Sequence, residues 1–267
     1  MNANANATLE TVTSQDGTTI AYEKTGSGPA VVLICGGSTD RGSLAGLAAV
    51  LSATNTVYNV DRRGRGDSGD TLPYAVEREI EDIAAVIDAT GGPAGLFGTS
   101  SGGALTLHAA AALGDRVRKL AIWEAPYFVD PVMRPPLDTV EQYRKRLDAG
   151  HPEEAAEYFM TDVVRLPKEF VEFAKSQPFF AGQVKIAHTL VYDGLVMDDY
   201  LIPTAIAGQV VSPTLILAGG ADFPPMVDAA RALAAAIPNA EFRHLEGQGH
   251  NVDPAVIGAE LATFFVA

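Results

Sequence analysis

Ala94-Gly95-Leu96-Phe97-Gly98-Thr99-Ser100-Ser101-Gly102-Gly103-Ala104-Leu105-Thr106-Leu107 is the stretch that decides the fold. Ala94 to Phe97 is a short apolar run of strand length, and Gly102 to Leu107 can begin a helix. Between them, Gly98-Thr99-Ser100-Ser101-Gly102 matches G-x-S-x-G. A sharp strand-to-helix turn forces small residues on either side of its serine and projects the hydroxyl above the end of the sheet. The N–H of Ser101 then points toward any oxyanion that develops beside Ser100. The plain structural alternative is a glycine-rich turn with an exposed serine. A phosphate-binding loop is disfavoured, because G-x-x-x-x-G-K-[ST] is absent.

Outward from this turn, strands and helices alternate. Leu9 to Ser14 and Thr18 to Thr25 read as a hairpin around Gln15-Asp16-Gly17. Further strands are expected at Ala30 to Cys35, Val57 to Val60, Val117 to Trp123, Thr214 to Ala218 and Glu241 to Leu245. Helices are expected near Ser43 to Ala53 and over Val76 to Thr90, with a last one capped by Asp253 and opened by Pro254. The pattern predicts an α/β fold, a mostly parallel central sheet with helices on both faces. Residues 126–209 break it: they are rich in Pro and aromatics and read as short helices, with Asp138 and Glu141 resembling a capping box. This block is expected to be a helical lid inserted after the sixth strand, over the sheet edge where open α/β sheets hold their sites. Residues 1–125 and 210–267 would then form the core, behind a loose tail in the first ten residues.

Composition narrows the function. The 267 residues carry 19 basic and 33 acidic side chains, a net charge of −14 that repels phosphate backbones and anionic lipid, so no nucleic-acid partner is expected. Cys35 is the only cysteine, which excludes an internal disulfide and a cysteine zinc site. The first residues lack a basic segment followed by an apolar one, and no stretch approaches about 20 apolar residues. A cytoplasmic protein without membrane partner is the expectation. Asp198-Asp199 reads as a solvated pair; no metal and no cofactor is expected.

A serine nucleophile needs a base. His250, in Gly247-Gln248-Gly249-His250-Asn251, follows all the strands on a glycine-flanked loop that can reach back over the sheet. His108 falls in the helix after the serine turn and His244 in a strand pattern, both read as packing residues. His151 and His188 fall in the lid.

With Ser100 and His250 in the order Ser…acid…His, the chain resembles the α/β-hydrolase-fold serine hydrolases over nearly its whole length. Asp61-Arg62-Arg63-Gly64-Arg65-Gly66-Asp67-Ser68 matches that family's D-x-R-G-x-G-x-S stretch, which is usually structural. Cys35-Gly36-Gly37-Ser38 stands where the family usually has His-Gly. The resemblance implies a backbone donor from Gly37, joined by Ser101, in an oxyanion hole, and Cys35 is read as a small buried thiol. Two positions match the family's acid. Asp222, in Gly219-Gly220-Ala221-Asp222, follows the seventh strand. Glu124, in Trp123-Glu124-Ala125-Pro126, ends the sixth, as in a subgroup resembling the zearalenone lactonases. Chain order does not choose between them; the lid and the Trp-Glu-Ala-Pro stretch favour Glu124.

The lid aromatics Tyr127, Phe128, Phe179, Phe180, Tyr192 and Tyr200 form its own small core and in part line a pocket for an apolar compound. Tyr127 and Phe128, and the helical pair His188 and Tyr192 four residues apart, are the candidate substrate contacts. The resulting expectation is hydrolysis of a small hydrophobic ester or lactone through an acyl-enzyme. Carbon–carbon bond hydrolysis, a cofactor-free rearrangement or cyclisation, or a receptor role with little turnover are the alternatives on the same fold.

Overall fold

The computed structural model describes residues 7–266. Strand β1 (Thr8–Thr13) pairs antiparallel with β2 (Thr19–Gly26). Their turn is the expected one: Asp16 Oδ1 accepts the Thr18 N–H at 3.0 Å, and Gly17 takes φ 88°, which costs a side-chain-free residue nothing. The expected tail is cut short by β1 from Thr8; residues 1–6 lie outside the described residues. Strands β3 (Ala30–Ile34), β4 (Thr56–Val60), β5 (Ala94–Thr99), β6 (Val117–Trp123), β7 (Thr214–Ala218) and β8 (Ala240–His244) follow. The eight-stranded sheet has the order β1-β2-β4-β3-β5-β6-β7-β8. Strands β3 to β8 pair parallel, and β2 joins β4 antiparallel.

The helices are α1 (Ala45–Leu51), α2 (Val76–Ala89), α3 (Ser101–Leu113), α4 (Thr139–Asp148), α5 (Pro152–Tyr158), α6 (Lys168–Lys175), α7 (Pro178–Lys185), α8 (Leu190–Met197), α9 (Thr204–Ala207), α10 (Pro225–Ala236) and α11 (Pro254–Val266). Side chains on a strand alternate between faces, so each strand feeds two layers. Val31, Leu33, Phe97 and Leu217 meet Leu47 and Leu51 of α1 and Leu261 and Phe265 of α11. Val32, Ile34, Leu96 and Ile122 meet Ile83 and Val86 of α2 and Leu105 of α3. Each such side chain, fully withdrawn from water, contributes about 1.5–3 kcal/mol. Helix α11 starts as expected: Asp253 Oδ1 accepts the Ala255 N–H at 2.8 Å, and Pro254 is its first residue.

Between β6 and β7 the chain forms α4 to α9 and a π-helical turn over Phe159–Val163. Tyr143, Ala155, Tyr158 and Leu190 give this segment a small core of its own. The expected capping box at Asp138 does not form. Asp138 stands at the N-cap with φ −89° and ψ 14°, and its carboxylate accepts from the Gln142 side chain at 2.8 Å instead of from the helix backbone. No described helix is long and apolar enough to cross a membrane.

The chain reverses its direction of winding between β3 and β5, which are neighbours in the sheet. The loops leaving their C-terminal ends therefore diverge and leave a crevice, where open α/β sheets bind ligands. Those loops begin at Cys35 and at Ser100.

Candidate active site

Ser100 sits at this crevice with φ 55° and ψ −131°, a conformation a side chain rarely adopts. The turn around it is packed too closely for anything but glycine. A Cβ on Gly98 would run into the carbonyl of Gly102, and one on Gly102 into the carbonyl of Cys35. Small residues are thus imposed by backbone contact, as the motif demands. The Ser100 N–H donates to the Trp123 carbonyl at 2.9 Å, so the serine turn is fastened to the end of β6.

The next residue on β6, Glu124, is 2% exposed and has φ 43°. Its N–H donates to Leu217 O at 3.1 Å, which continues the pairing with β7. Its Oε1 accepts the N–H groups of Gly219 and Gly220 at 3.0 and 2.9 Å. Its Oε2 lies 2.8 Å from His250 Nδ1. Burial alone would raise the Glu124 pKa. The bond from His250 and the two glycine N–H groups outweigh it and hold the carboxyl below its ordinary value. A carboxylate offers only acceptors, so Nδ1 carries the proton of this bond. The neutral ring therefore presents its lone pair at Nε2, as a general base must.

Asp222, the other acid candidate, meets His250 through the backbone. Its Oδ2 accepts the His250 N–H at 2.8 Å. Trp123 Nε1 donates to the His250 carbonyl at 2.9 Å, and Ala221 N–H to the Gln248 carbonyl at 3.0 Å. Asp222 thus holds the histidine loop, while Glu124 holds the histidine ring. Among the described residues no hydrogen bond joins His250 to Ser100; such bonds are often long without substrate and tighten when it binds.

A profile of the Alpha/beta hydrolase family matches residues 31–260. The chain belongs to the alpha/beta hydrolase family. An alpha/beta hydrolase from Sphaerobacter thermophilus DSM 20745 is 47% identical, with a TM-score of 0.90 over 96% of this chain and 100% of that one. A pimeloyl-[acyl-carrier protein] methyl ester esterase from Xylella fastidiosa (strain 9a5c) is 43% identical over 109 residues, which span 40% of this chain and 41% of that relative's length. The protein of the same name from Xanthomonas oryzae pv. oryzae (strain MAFF 311018) is 28% identical over 233 residues, 84% of this chain and 89% of that one.

In this alpha/beta hydrolase the residues of the two expected oxyanion donors, Gly37 and Ser101, lie next to the serine turn. Ser101 is the first residue of α3, so its N–H has no acceptor within the helix. Gly36 is packed against the nucleophile candidate: a Cβ there would lie 2.9 Å from Ser100 Cβ. The Gly37 N–H follows directly and donates to no group among the described residues. Cys35 is fully buried, its thiol near the Thr39 carbonyl at 3.5 Å and its pKa raised by burial, which suits a packing role.

The D-x-R-G-x-G-x-S stretch lies directly beneath these loops. Arg62 donates twice to Glu79, both at 2.8 Å, and once to Asp193 Oδ1 at 2.7 Å. Arg65 donates to Asp193 Oδ2 at 2.8 Å and to Gly36 O at 2.6 Å. All four charged side chains are buried. Burial would push the Asp193 pKa up, and Arg65 and Arg62 hold it below the ordinary range. Removing one partner from such a cluster costs about 3–5 kcal/mol, because a charge is left buried and unpaired. Asp193 had no signal in the sequence: one acidic residue in a run of short helices reads as solvated.

The candidate substrate contacts separate. Tyr192 is 5% exposed, its ring stacked on Tyr74 at 3.9 Å and its hydroxyl donating to Asp70 Oδ2 at 2.8 Å. Both contacts lie within the protein and join α8 to the segment that carries Asp70 and Tyr74. His188 Nε2 lies 3.3 Å from the same oxygen, although the ring is partly exposed. Tyr127 is buried, and its hydroxyl has no partner among the described residues. Phe128 is half-buried and meets Phe223 edge-on at 6.2 Å, next to Asp222 and thus beside the histidine loop. His244 is exposed, with Nε2 3.0 Å from Gly219 O, and so is not the packing residue its strand pattern implied. Its place at the open end of edge strand β8 explains this.

Proposed function

We propose that this alpha/beta hydrolase cleaves a carboxylic ester or lactone of a small hydrophobic compound through an acyl-enzyme. The observation that carries the reading is the 2.8 Å bond between Glu124 Oε2 and His250 Nδ1, beside a serine held at positive φ on the neighbouring strand. Ser100 Oγ attacks the carbonyl carbon as His250 Nε2 takes its proton. The carbonyl oxygen becomes an oxyanion held by the N–H groups of Gly37 and Ser101, with the N-terminal end of α3 adding a favourable dipole. The tetrahedral species collapses, and His250 returns the proton to the departing alkoxide. Water, deprotonated by the same ring, then releases the acid and restores Ser100. Glu124 keeps the ring oriented and supports its charged form without taking the proton itself. Residues 126–209 serve as the cap, with Phe128 and Tyr127 toward the substrate, and residues 1–125 with 210–267 as the core.

The printed names of the Xylella and Xanthomonas relatives are those of methyl ester esterases, which supports the ester form of this reading. The lactone form rests on the acid at the end of β6 and on Trp123-Glu124-Ala125-Pro126, the features that resemble the zearalenone lactonases. The test is labelling with a fluorophosphonate. The probe is expected on Ser100 alone, located by peptide mass spectrometry, and labelling elsewhere would remove the assignment. Labelling of Ser100 with no turnover on a broad ester panel would make the protein a small-molecule receptor.

Charge sets the substrate's polarity. A surface of −14 raises the cost of bringing in a polyanion. Neutral hydrophobic esters should exceed the matched acyl-CoA thioesters in kcat/KM by about tenfold or more at low salt, a gap that narrows as salt screens the field. Equal or better turnover of the CoA series would refute this.

A further inference from the structure

We propose that Asp193 is a positioning residue for the oxyanion hole, supplied by helix α8 of the segment between β6 and β7. The inference rests on the reading of Gly37 and Ser101 as the oxyanion donors.

Both donors lead to this one carboxylate. Ser101 Oγ donates to Asp193 Oδ1 at 2.7 Å, so the residue that carries one N–H is held by its own side chain. The other donor is held through Arg65. Its Nη2 is bonded to Asp193 Oδ2, and its Nη1 donates to Gly36 O at 2.6 Å. Gly36 C=O and Gly37 N–H belong to the same peptide group, which is planar. Fixing the carbonyl therefore fixes the direction of the N–H. A carbonyl bonded to a guanidinium is also polarised, which makes the N–H of that peptide a stronger donor. The fit is close: a Cβ on Gly37 would lie 3.1 Å from Asp193 Oδ2.

A carboxylate this near a developing oxyanion would oppose it if left alone. Arg62 and Arg65 each bond one of its oxygens, and Glu79 takes the remaining side of Arg62, so two positive groups face two negative ones. The balance fails without Asp193. Two guanidinium groups would then share a buried site, Arg65 would be free to leave Gly36, and Ser101 would lose its acceptor. Because Asp193 comes from α8, both donors are set only while α8 is seated on the core.

The test compares Asp193→Asn with wild type on a short activated ester, together with inhibition by an alkylboronic acid. The boronic acid adds to Ser100 Oγ and places an anionic oxygen in the hole. An Asn amide offers one acceptor where three donors converge, so both donors should drift. The expected result is a kcat lower by about 10- to 100-fold, less than or comparable to the loss of a whole donor, with KM within about twofold and boronate affinity weakened by a similar factor. A changed KM or melting temperature with unchanged kcat and boronate affinity would overturn the inference, since an anchor for α8 does only that. Should Asp193→Asn fail to fold, Ser101→Ala reads the same coupling with the ion pairs intact. It should lower kcat and boronate affinity together by about three- to tenfold, and no change in either would overturn the inference. Wild-type protein that reacts with neither boronate nor fluorophosphonate at Ser100 would bring down the serine-hydrolase reading itself. A reactive wild type with an indifferent Asp193 variant would bring down this inference alone.

Discussion

Ser100→Ala is expected to lower kcat for a short activated ester by about 10⁶-fold, the scale seen when a serine protease loses its nucleophile. The variant suits the purpose because Ala and Ser meet the same backbone strain at φ 55°, so the turn does not relax. The bond from the residue-100 N–H to Trp123 O is a backbone bond and survives, as do the N–H groups of Gly37 and Ser101. Ester binding should change little, and some rate above the uncatalysed reaction should remain from the oxyanion donors. Single-turnover kinetics measures the loss, and a melting curve close to wild type shows that the fold is kept. More than about a tenth of the activity remaining would move the nucleophile away from Ser100.

Glu124→Gln should cost about 10⁴ in kcat, whereas Asp222→Asn should cost less than about tenfold. The difference follows from what each carboxylate accepts. Glu124 receives three N–H groups, two on Oε1 and the imidazole on Oε2. An amide has a single oxygen. If it stays with Gly219 and Gly220, the NH₂ faces Nδ1, the imidazole must give up its proton there and carry it at Nε2, and the base facing Ser100 is lost. If the amide turns round, its NH₂ meets two backbone donors. Asp222 receives a single backbone N–H from the histidine loop, which an Asn oxygen accepts equally well. Comparing kcat for the two folded variants decides the matter, and the reverse ranking would give the role to Asp222. The same variant changes acid stability. Glu124 is held below its ordinary pKa, so its contribution is full above the unfolded value of about 4.3 and is lost as pH falls through the lower folded value. The drop in melting temperature between pH 7 and about pH 3 should therefore be smaller in Glu124→Gln than in wild type.

How much was legible in the sequence depended on the range of the forces involved. The serine turn was readable because its demands are local: small residues at Gly98 and Gly102 answer contacts made within a few residues and with the neighbouring strand. The hairpin at Gln15-Asp16-Gly17 and the start of α11 at Asp253-Pro254 were readable for the same reason. The capping box at Asp138 failed because its residue types fitted while its backbone dihedrals did not, and a side chain one turn away competed for the carboxylate. Tyr192 of α8 meets His188 edge-on at 6.0 Å, but His188 stands in a 3-10 turn over Ala187–Thr189 ahead of that helix rather than on its face. Periodicity said nothing of what that face would meet, and it met Tyr74 and Asp70.

By itself the sequence determined the alternation of strands and helices, the serine turn, and the loop that carries His250. These follow from hydrophobic period, turn chemistry and order along the chain, all expressed over short stretches. Only the tertiary structure decided which carboxylate meets the imidazole, since Glu124 and His250 are 126 residues apart and their contact depends on β7 lying beside β6 and β8 beside β7 in the sheet. It also decided that Asp193, 92 residues beyond Ser101, is buried against the loop of Gly36 and Gly37. A charged side chain is stable there only because Arg62 and Arg65 meet it, and such a partnership across distant segments exists only once the chain has folded.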